Sequence, residues 1–340
     1  MDGEKGLRVG WVISNDRSWA ASRLQGFLIH EWLQGQGISS ALLAERFNDI
    51  RSARSLAFWR TALRLLRSDC DVVVFEGGEW TMMQLAKLWR AVGKRAVGVR
   101  CVPFAGAYDD TYDLTIVPTV EIQRQLQIRR ARVIDDCVQV PPGVHKTDYA
   151  ASERLRVVWV GHQGYADYIT GLVARLRQVP EIAAGFDFEL ISKGSFATRQ
   201  WAEETVVPDI LACDIALISM PQGEWFQAKS SNRLAMLMRL GMPTVATLIP
   251  AYEALARDGE NGLFLSSDEQ IAARLLALRD RALRERLGRQ ARQDIGDRYD
   301  LDTVARRWLG VLREAVAQQP PPLQLGPHWR LAARMLKLAR

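Results

Sequence analysis

Short, unbroken apolar runs alternate with amphipathic stretches along the first half of the chain. Residues 7–13 (LRVGWVI), 38–43, 71–75 (DVVVF), 95–102 and 114–117 read as strands. Between them, 22–35, 57–66 and 81–92 carry apolar residues at helical spacing, such as Leu24, Phe27, Leu28 and Trp32. A helix over 119–127 and a short strand from 133 close the set. Strands that are apolar throughout are buried on both faces, as parallel strands are when helices cover the sheet. Strand and helix in alternation mean βαβ units, so this half is predicted to be one doubly wound α/β domain.

The pattern then breaks and restarts. Residues 138–144 (VQVPPGV) are rigid and proline-rich, and polar residues run on to 153, where a linker is placed. Strands follow at 155–161, 186–192, 215–219 and 244–247, with helices at 168–179 and 208–214 and one after 232. Two helices are expected to fill 267–295 and 301–318. The predicted domains are therefore 1–145 and 154–318. A proline run at 319–322 sets apart 319–340, which ends in the basic amphipathic segment WRLAARMLKLAR at 329–340. That segment reads as a helix docked on the protein's own surface, as an interfacial membrane contact, or as a frayed tail.

Composition narrows the class. The chain has 340 residues, long enough for two cores, and a net charge of +6. No apolar run reaches the ~18 residues of a membrane span. MDGEKGLRVG does not read as a signal peptide. Cys70, Cys101, Cys137 and Cys213 are scattered with no C-x-x-C pair, and the four histidines are unpaired, so neither a disulfide framework nor a metal site is expected. Arginines interleaved with acids on helix faces argue against nucleic-acid binding. A cytoplasmic protein is expected, with a peripheral contact at the inner membrane face through 329–340 as a further reading.

The chemistry concentrates in 229–264, KSSNRLAMLMRLGMPTVATLIPAYEALARDGENGLF. Lys229, Ser230, Ser231, Asn232 and Arg233 stand where a helix should begin, and Gly241 ends it. A helix N-terminus offers free backbone N–H groups and partial positive charge, so a phosphate or diphosphate is the natural ligand beside Lys229. The plainer alternative is that Ser, Ser and Asn are ordinary N-cap residues.

The segment resembles the C-terminal half of GT-B glycosyltransferases, above all the retaining family 4. That family's Gly-x-Pro strand, proline loop with an acidic residue, and D-G-x-N-G turn appear as Gly241-Met242-Pro243-Thr244-Val245-Ala246, Ile249 to Glu253, and Asp258 to Phe264. The resemblance implies two Rossmann-like domains facing across a cleft, a nucleotide-sugar co-substrate and no metal cofactor. It also implies an acceptor glycan or small molecule as the other partner. It assigns leaving-group stabilisation to Lys229, with Arg233 as a second charge. Donor contacts are expected at the strand ends of the second domain, where open α/β sheets bind ligands: Gly161, His162, Lys193, Ser219, Pro221 and Glu224, with Ser230, Ser231, Asn232 and Glu253. Ser14, Asn15, Glu76 and Glu79 end strands of the first domain, which the resemblance makes the acceptor side.

Two departures stand out. The glycine-rich first loop of many family members is absent. The paired glutamates eight positions apart are replaced by Ala228 and Met236. The leading expectation is a metal-independent, retaining glycosyltransferase. The alternatives are a non-catalytic GT-B subunit that binds a sugar or a partner protein, and a GT-B epimerase.

Overall fold

A computed structural model describes residues 6–150, 153–323, 325, 329–330, 332 and 334. Contacts divide the chain into two units, Met1–Cys137 with Asp300–Arg340, and Val138–Tyr299.

The first unit holds β1 (Arg8–Ile13), β2 (Ser39–Ala44), β3 (Val72–Glu76), β4 (Arg95–Val99), β5 (Leu114–Val117) and β6 (Ala131–Val133). They form one parallel sheet in the order β2-β1-β3-β4-β5-β6. The second holds β7 (Leu155–Val160), β8 (Phe186–Ser192), β9 (Arg199–Gln200), β10 (Ile215–Ile218), β11 (Thr244–Thr247) and β12 (Leu263–Leu265). These are again all parallel, in the order β12-β11-β10-β7-β8-β9. In each sheet the strand order reverses once, between β1 and β3 and between β7 and β10. Crevices at such reversals, beyond the carboxyl ends of the strands, are where this architecture binds ligands.

The second sheet is covered on both faces. Leu155, Val157, Trp159, Leu190 and Leu217 pack with Ile169, Leu172 and Leu176 of helix Ala166–Leu176. Val158, Ile191, Ala216 and Ile218, on the opposite face by alternation, pack with Leu234, Leu237 and Met238 of helix Asn232–Arg239. Burial of both faces is why these strands read as unbroken apolar runs.

Three boundaries differ from those read in the sequence. Helix Leu301–Ala317 belongs to the first unit, not the second: Val304, Trp308 and Leu312 join Trp11, Leu33, Val74 and Val97 in one core. The stretch 138–150 is no free linker. Val138 sits in the second core, Lys146 Nζ donates to the Cys213 carbonyl (2.7 Å), and the Tyr149 hydroxyl donates to the Gly241 carbonyl (2.9 Å). The helical stretch at 267–295 is divided into Ile271–Ala277 and Arg281–Ile295, because Asp280 accepts from the Ala282 N–H (2.8 Å) and starts a new helix.

Smaller differences are local. The expected helix over 22–35 begins at Ala20 and contains a π-helical turn, Arg23–Phe27, before Leu28–Gly35. Strand β9 carries no apolar pattern, and both its residues are exposed. Cys70, Cys137 and Cys213 are buried and Cys101 half-buried, and no disulfide joins them. Trp329, Arg330, Ala332 and Arg334 are helical, and the Trp329 ring lies 6.2 Å from Phe58 and 6.3 Å from Trp59. The remaining residues of 329–340 lie outside the described ones. Among the described residues no helix is long and apolar enough to cross a membrane.

Candidate functional site

The ends of β7 and β10 and the start of helix Asn232–Arg239 carry most of the polar residues singled out in the second unit. This helix start lacks the cap its sequence suggests. Ser231 precedes it in a helical conformation and makes no side-chain cap hydrogen bond. Instead Ser231 is 3% exposed and donates to the Tyr299 hydroxyl at 3.4 Å. Ser230 and Asn232 flank it, half-buried. The reading of these residues as ordinary N-caps is therefore not what the chain does, and the first-turn N–H groups have no side-chain acceptor from the cap position.

Lys229 lies two residues before Ser231, its Nζ 4.8 Å from the centre of the Trp225 ring. Its charge reaches His162, at the end of β7. Burial, and then Lys229, hold the imidazole below its ordinary value, so it is neutral at neutral pH. His162 Nδ1 accepts from the Gly164 N–H at 3.0 Å, which fixes the ring at the mouth of the loop. Arg233 is half-buried, and its Nη1 is buried with no hydrogen-bond partner. Burial raises the Tyr165 and Tyr252 hydroxyls, and Arg233 pulls both the other way, which places it beside them. Tyr165 in turn packs on Phe226, with ring centres 5.9 Å apart. The structure thus gathers His162, Lys229 and Arg233 with Tyr165, Trp225 and Phe226 at one end of the second sheet. Cations among apolar rings and uncapped N–H groups favour a bulky anion.

Other expected donor residues are placed differently. An added Cβ at Gly161 would meet the Trp159 indole at 2.1 Å, so the glycine answers to its own strand's tryptophan. Ser219 is 2% exposed and its hydroxyl donates to Asp268 at 2.8 Å; Tyr168 bonds both residues, reaching Asp268 at 2.7 Å. Its hydroxyl is therefore engaged within the protein. Pro221 is half-buried in the turn after β10, just before Gly223 at φ 133°. Lys193 is exposed, its Nζ 5.1 Å from the Trp201 ring centre, and Glu224 and Glu253 are exposed. Ala228 is 1% exposed, and with Met236 leaves no carboxylate at the positions of the paired glutamates. Among the described residues no three His, Cys, Asp or Glu side chains are placed to hold a metal ion.

In the first unit, the reversal between β1 and β3 brings Ser14, Asn15 and Glu76 together. Glu76 is 2% exposed, and its Oε2 accepts from the Ser14 N–H (3.0 Å), the Ser14 hydroxyl (2.7 Å) and the Ser22 hydroxyl (2.9 Å). Asn15 Nδ2 donates to Ser14 Oγ at 3.0 Å and Asn48 Nδ2 to Asn15 Oδ1 at 3.3 Å. This carboxylate holds two loops in register. Glu79 is apart from the cluster, exposed, at the start of helix Trp80–Ala91.

Sequence reasoning missed Ser22, Tyr168 and Asp268, which anchor expected residues from other elements. Trp225 and Phe226 were also missed, although two aromatics just before a basic helix start are a readable signal.

No family model matches the sequence, and no curated protein does. Solved structures do match in fold. A glycosyltransferase from Rickettsia africae superposes with a TM-score of 0.69 at 10% identity, over 93% of this chain and 100% of that one. Sucrose-phosphate synthase from Thermosynechococcus elongatus gives 0.67 at 13% identity, over 91% and 99%. Anabaena Alr3699/HepE in complex with UDP and glucose gives 0.67 at 11% identity, over 90% and 99%. The chain thus has the GT-B glycosyltransferase fold, of which the two parallel Rossmann-like sheets are the signature.

Proposed function

We propose that the chain is a glycosyltransferase that moves a sugar from a nucleoside-diphosphate donor to an acceptor hydroxyl. The observation that carries the reading is the group His162, Lys229 and Arg233 beside the uncapped start of helix Asn232–Arg239. As the glycosidic bond breaks, negative charge grows on the leaving diphosphate. Preorganised cations and N–H groups stabilise that charge most where water is scarce. In this reading Lys229 and the first-turn amides take the diphosphate, and Arg233 adds charge from among the tyrosines. His162 donates a hydrogen bond to it, and Trp225 or Phe226 covers the donor. The residues present supply this charge without a metal ion. The solved fold that carries UDP and glucose supports a uridine donor as the first to test.

Attack from the same face as departure, with the leaving oxygen taking the acceptor proton, gives retention and needs no carboxylate nucleophile. The acceptor side is assigned to the first unit, at Ser14, Asn15 and Glu76. The acceptor is a polysaccharide, a lipid-linked sugar or a small metabolite, and a membrane contact through 329–340 belongs to the same proposal.

The test is incubation of the protein with UDP-glucose and a panel of sugar, sugar-phosphate and lipid-linked acceptors, followed by NMR of the new glycosidic bond. Transfer with the donor's anomeric configuration kept, undiminished by a chelator, is the expected result. Conversion of the nucleotide sugar with no acceptor present would point to an epimerase instead.

A further inference from the structure

Among the described residues four arginines are almost fully buried: Arg23, Arg90, Arg100 and Arg284. Three have partners. Arg23 donates to the Arg17 carbonyl (3.2 Å). Arg90 pairs with Asp113 (3.2 Å) and donates to the Thr111 carbonyl (3.2 Å). Arg284 donates to the carbonyls of Leu278 (2.7 Å) and Tyr149 (2.8 Å). Arg100 differs. It is 3% exposed, directly after β4, and two of its nitrogens, Nε and Nη2, are buried with no hydrogen-bond partner, against Nε alone in Arg90 and in Arg284. Its guanidinium lies 5.3 Å from the Tyr108 ring centre, and its charge works against the burial that raises the Tyr108 hydroxyl.

A buried guanidinium that leaves two nitrogens unsatisfied is costly, and an oxyanion that accepts from both offsets that cost. Nε and Nη2 form one edge of the guanidinium fork, the geometry that takes a phosphate through two parallel bonds. A second feature converges on the same place. A Cβ on Gly78 would fall 1.6 Å from Arg100 Nη1, so the guanidinium lies against the chain that enters helix Trp80–Ala91. That 12-residue helix begins at Trp80, and the exposed Glu79 before it makes no side-chain cap hydrogen bond. Its free N–H groups and its dipole favour an anion there. Two exposed aromatics flank the spot, Trp80 (61%) and Phe104 (57%). The loop over 103–107 has no regular structure, and the Tyr108 hydroxyl holds it by donating to the Phe104 carbonyl.

We propose that Arg100 and the start of helix Trp80–Ala91 form a binding site for a phosphate group carried by the acceptor. Lifting of 103–107 admits the phosphate, and Trp80 and Phe104 take the ring or chain attached to it. As an acceptor site this rests on the glycosyltransferase reading; as a phosphate site it does not.

The test titrates inorganic phosphate, glycerol 1-phosphate and UDP onto the full chain and onto Arg100→Lys, Gly78→Ala and Lys229→Ala. Arg100→Lys keeps the buried charge but removes the fork. Gly78→Ala displaces the guanidinium from outside the core, so the test survives if one variant folds poorly. Phosphate and glycerol 1-phosphate are expected to bind wild type and Lys229→Ala alike, and about tenfold more weakly to the other two. Vesicles of phosphatidylcholine with and without phosphatidic acid separate the sources. Capture by phosphatidic acid that needs Arg100 marks a lipid acceptor, and binding of glycerol 1-phosphate without capture marks a soluble one; both support the site. Absence of phosphate binding to wild type, or its loss only in Lys229→Ala, overturns it. Loss of UDP binding alone in Lys229→Ala leaves this site and the donor site independent, and UDP that binds no form of the protein counts against the donor reading only.

Discussion

Lys229 and His162 act as a pair at the residue scale. Burial and Lys229 keep His162 neutral in the free protein. The folded protein therefore prefers the neutral imidazole, and this contribution to stability is lost as pH falls through and below the ordinary value of about 6.5. A bound diphosphate reverses the balance, because its charge favours the imidazolium. UDP binding should then take up a proton near neutral pH and gain affinity relative to His162→Gln as pH falls. Calorimetry in buffers of different ionisation enthalpy measures that uptake, and equal uptake by wild type and His162→Gln would exclude the pairing.

Glu76 offers a second test at this scale. Glu76→Leu strands a buried N–H and two hydroxyls, at a cost of about 3 kcal/mol in urea unfolding, whereas Glu76→Gln keeps an acceptor and costs less. Equal losses in the two variants would mean that the hydrogen bonds contribute little. Much at this scale was hidden in the sequence. Ser219 stands at the right strand end, but its partner Asp268 is 49 residues further on, and no local pattern announces that bond. Gly161 looks like a phosphate-loop glycine, yet the Trp159 ring explains it.

Elements were the most legible scale. Strands buried on both faces and helices with one apolar stripe write their period into the chain, and ten of the twelve strands among the described residues fall on or within a residue or two of the runs read as strands. Two strands are not legible in this way: β9, two exposed residues added to a sheet edge, and β12, whose three residues read with the preceding turn. Helix Leu301–Ala317 shows the limit of such reading: its apolar stripe marks a buried face but not which sheet it covers. Trp308, 2% exposed in the first core, decides that question. Trp308→Ala should cost about 3–5 kcal/mol of stability in the first unit. UDP affinity, assigned to the second unit, should stay unchanged once the protein is folded. Denaturant unfolding followed with and without UDP checks both statements, and a fall in UDP affinity of the folded variant would contradict the assignment.

For the whole molecule, the restart of the strand and helix pattern near residue 155 made the duplication visible, while the return of the chain at Asp300 to the first unit was not. Lys229 and Arg233 could be singled out because they sit next to a helix start in the sequence itself. Arg100 could not, because it reads as the end of an apolar run and only the fold shows two of its nitrogens unpartnered.

The central claim is that a nucleoside diphosphate binds at the start of helix Asn232–Arg239 with Lys229 on its phosphates. Calorimetric titration of UDP, GDP, ADP and dTDP onto wild type and Lys229→Ala tests it most directly. The account predicts that one diphosphate, UDP first, binds wild type selectively. It predicts a loss of about 10- to 100-fold in the variant, the worth of one charge-assisted contact. No binding by any of the four, or binding unchanged in Lys229→Ala, would contradict it.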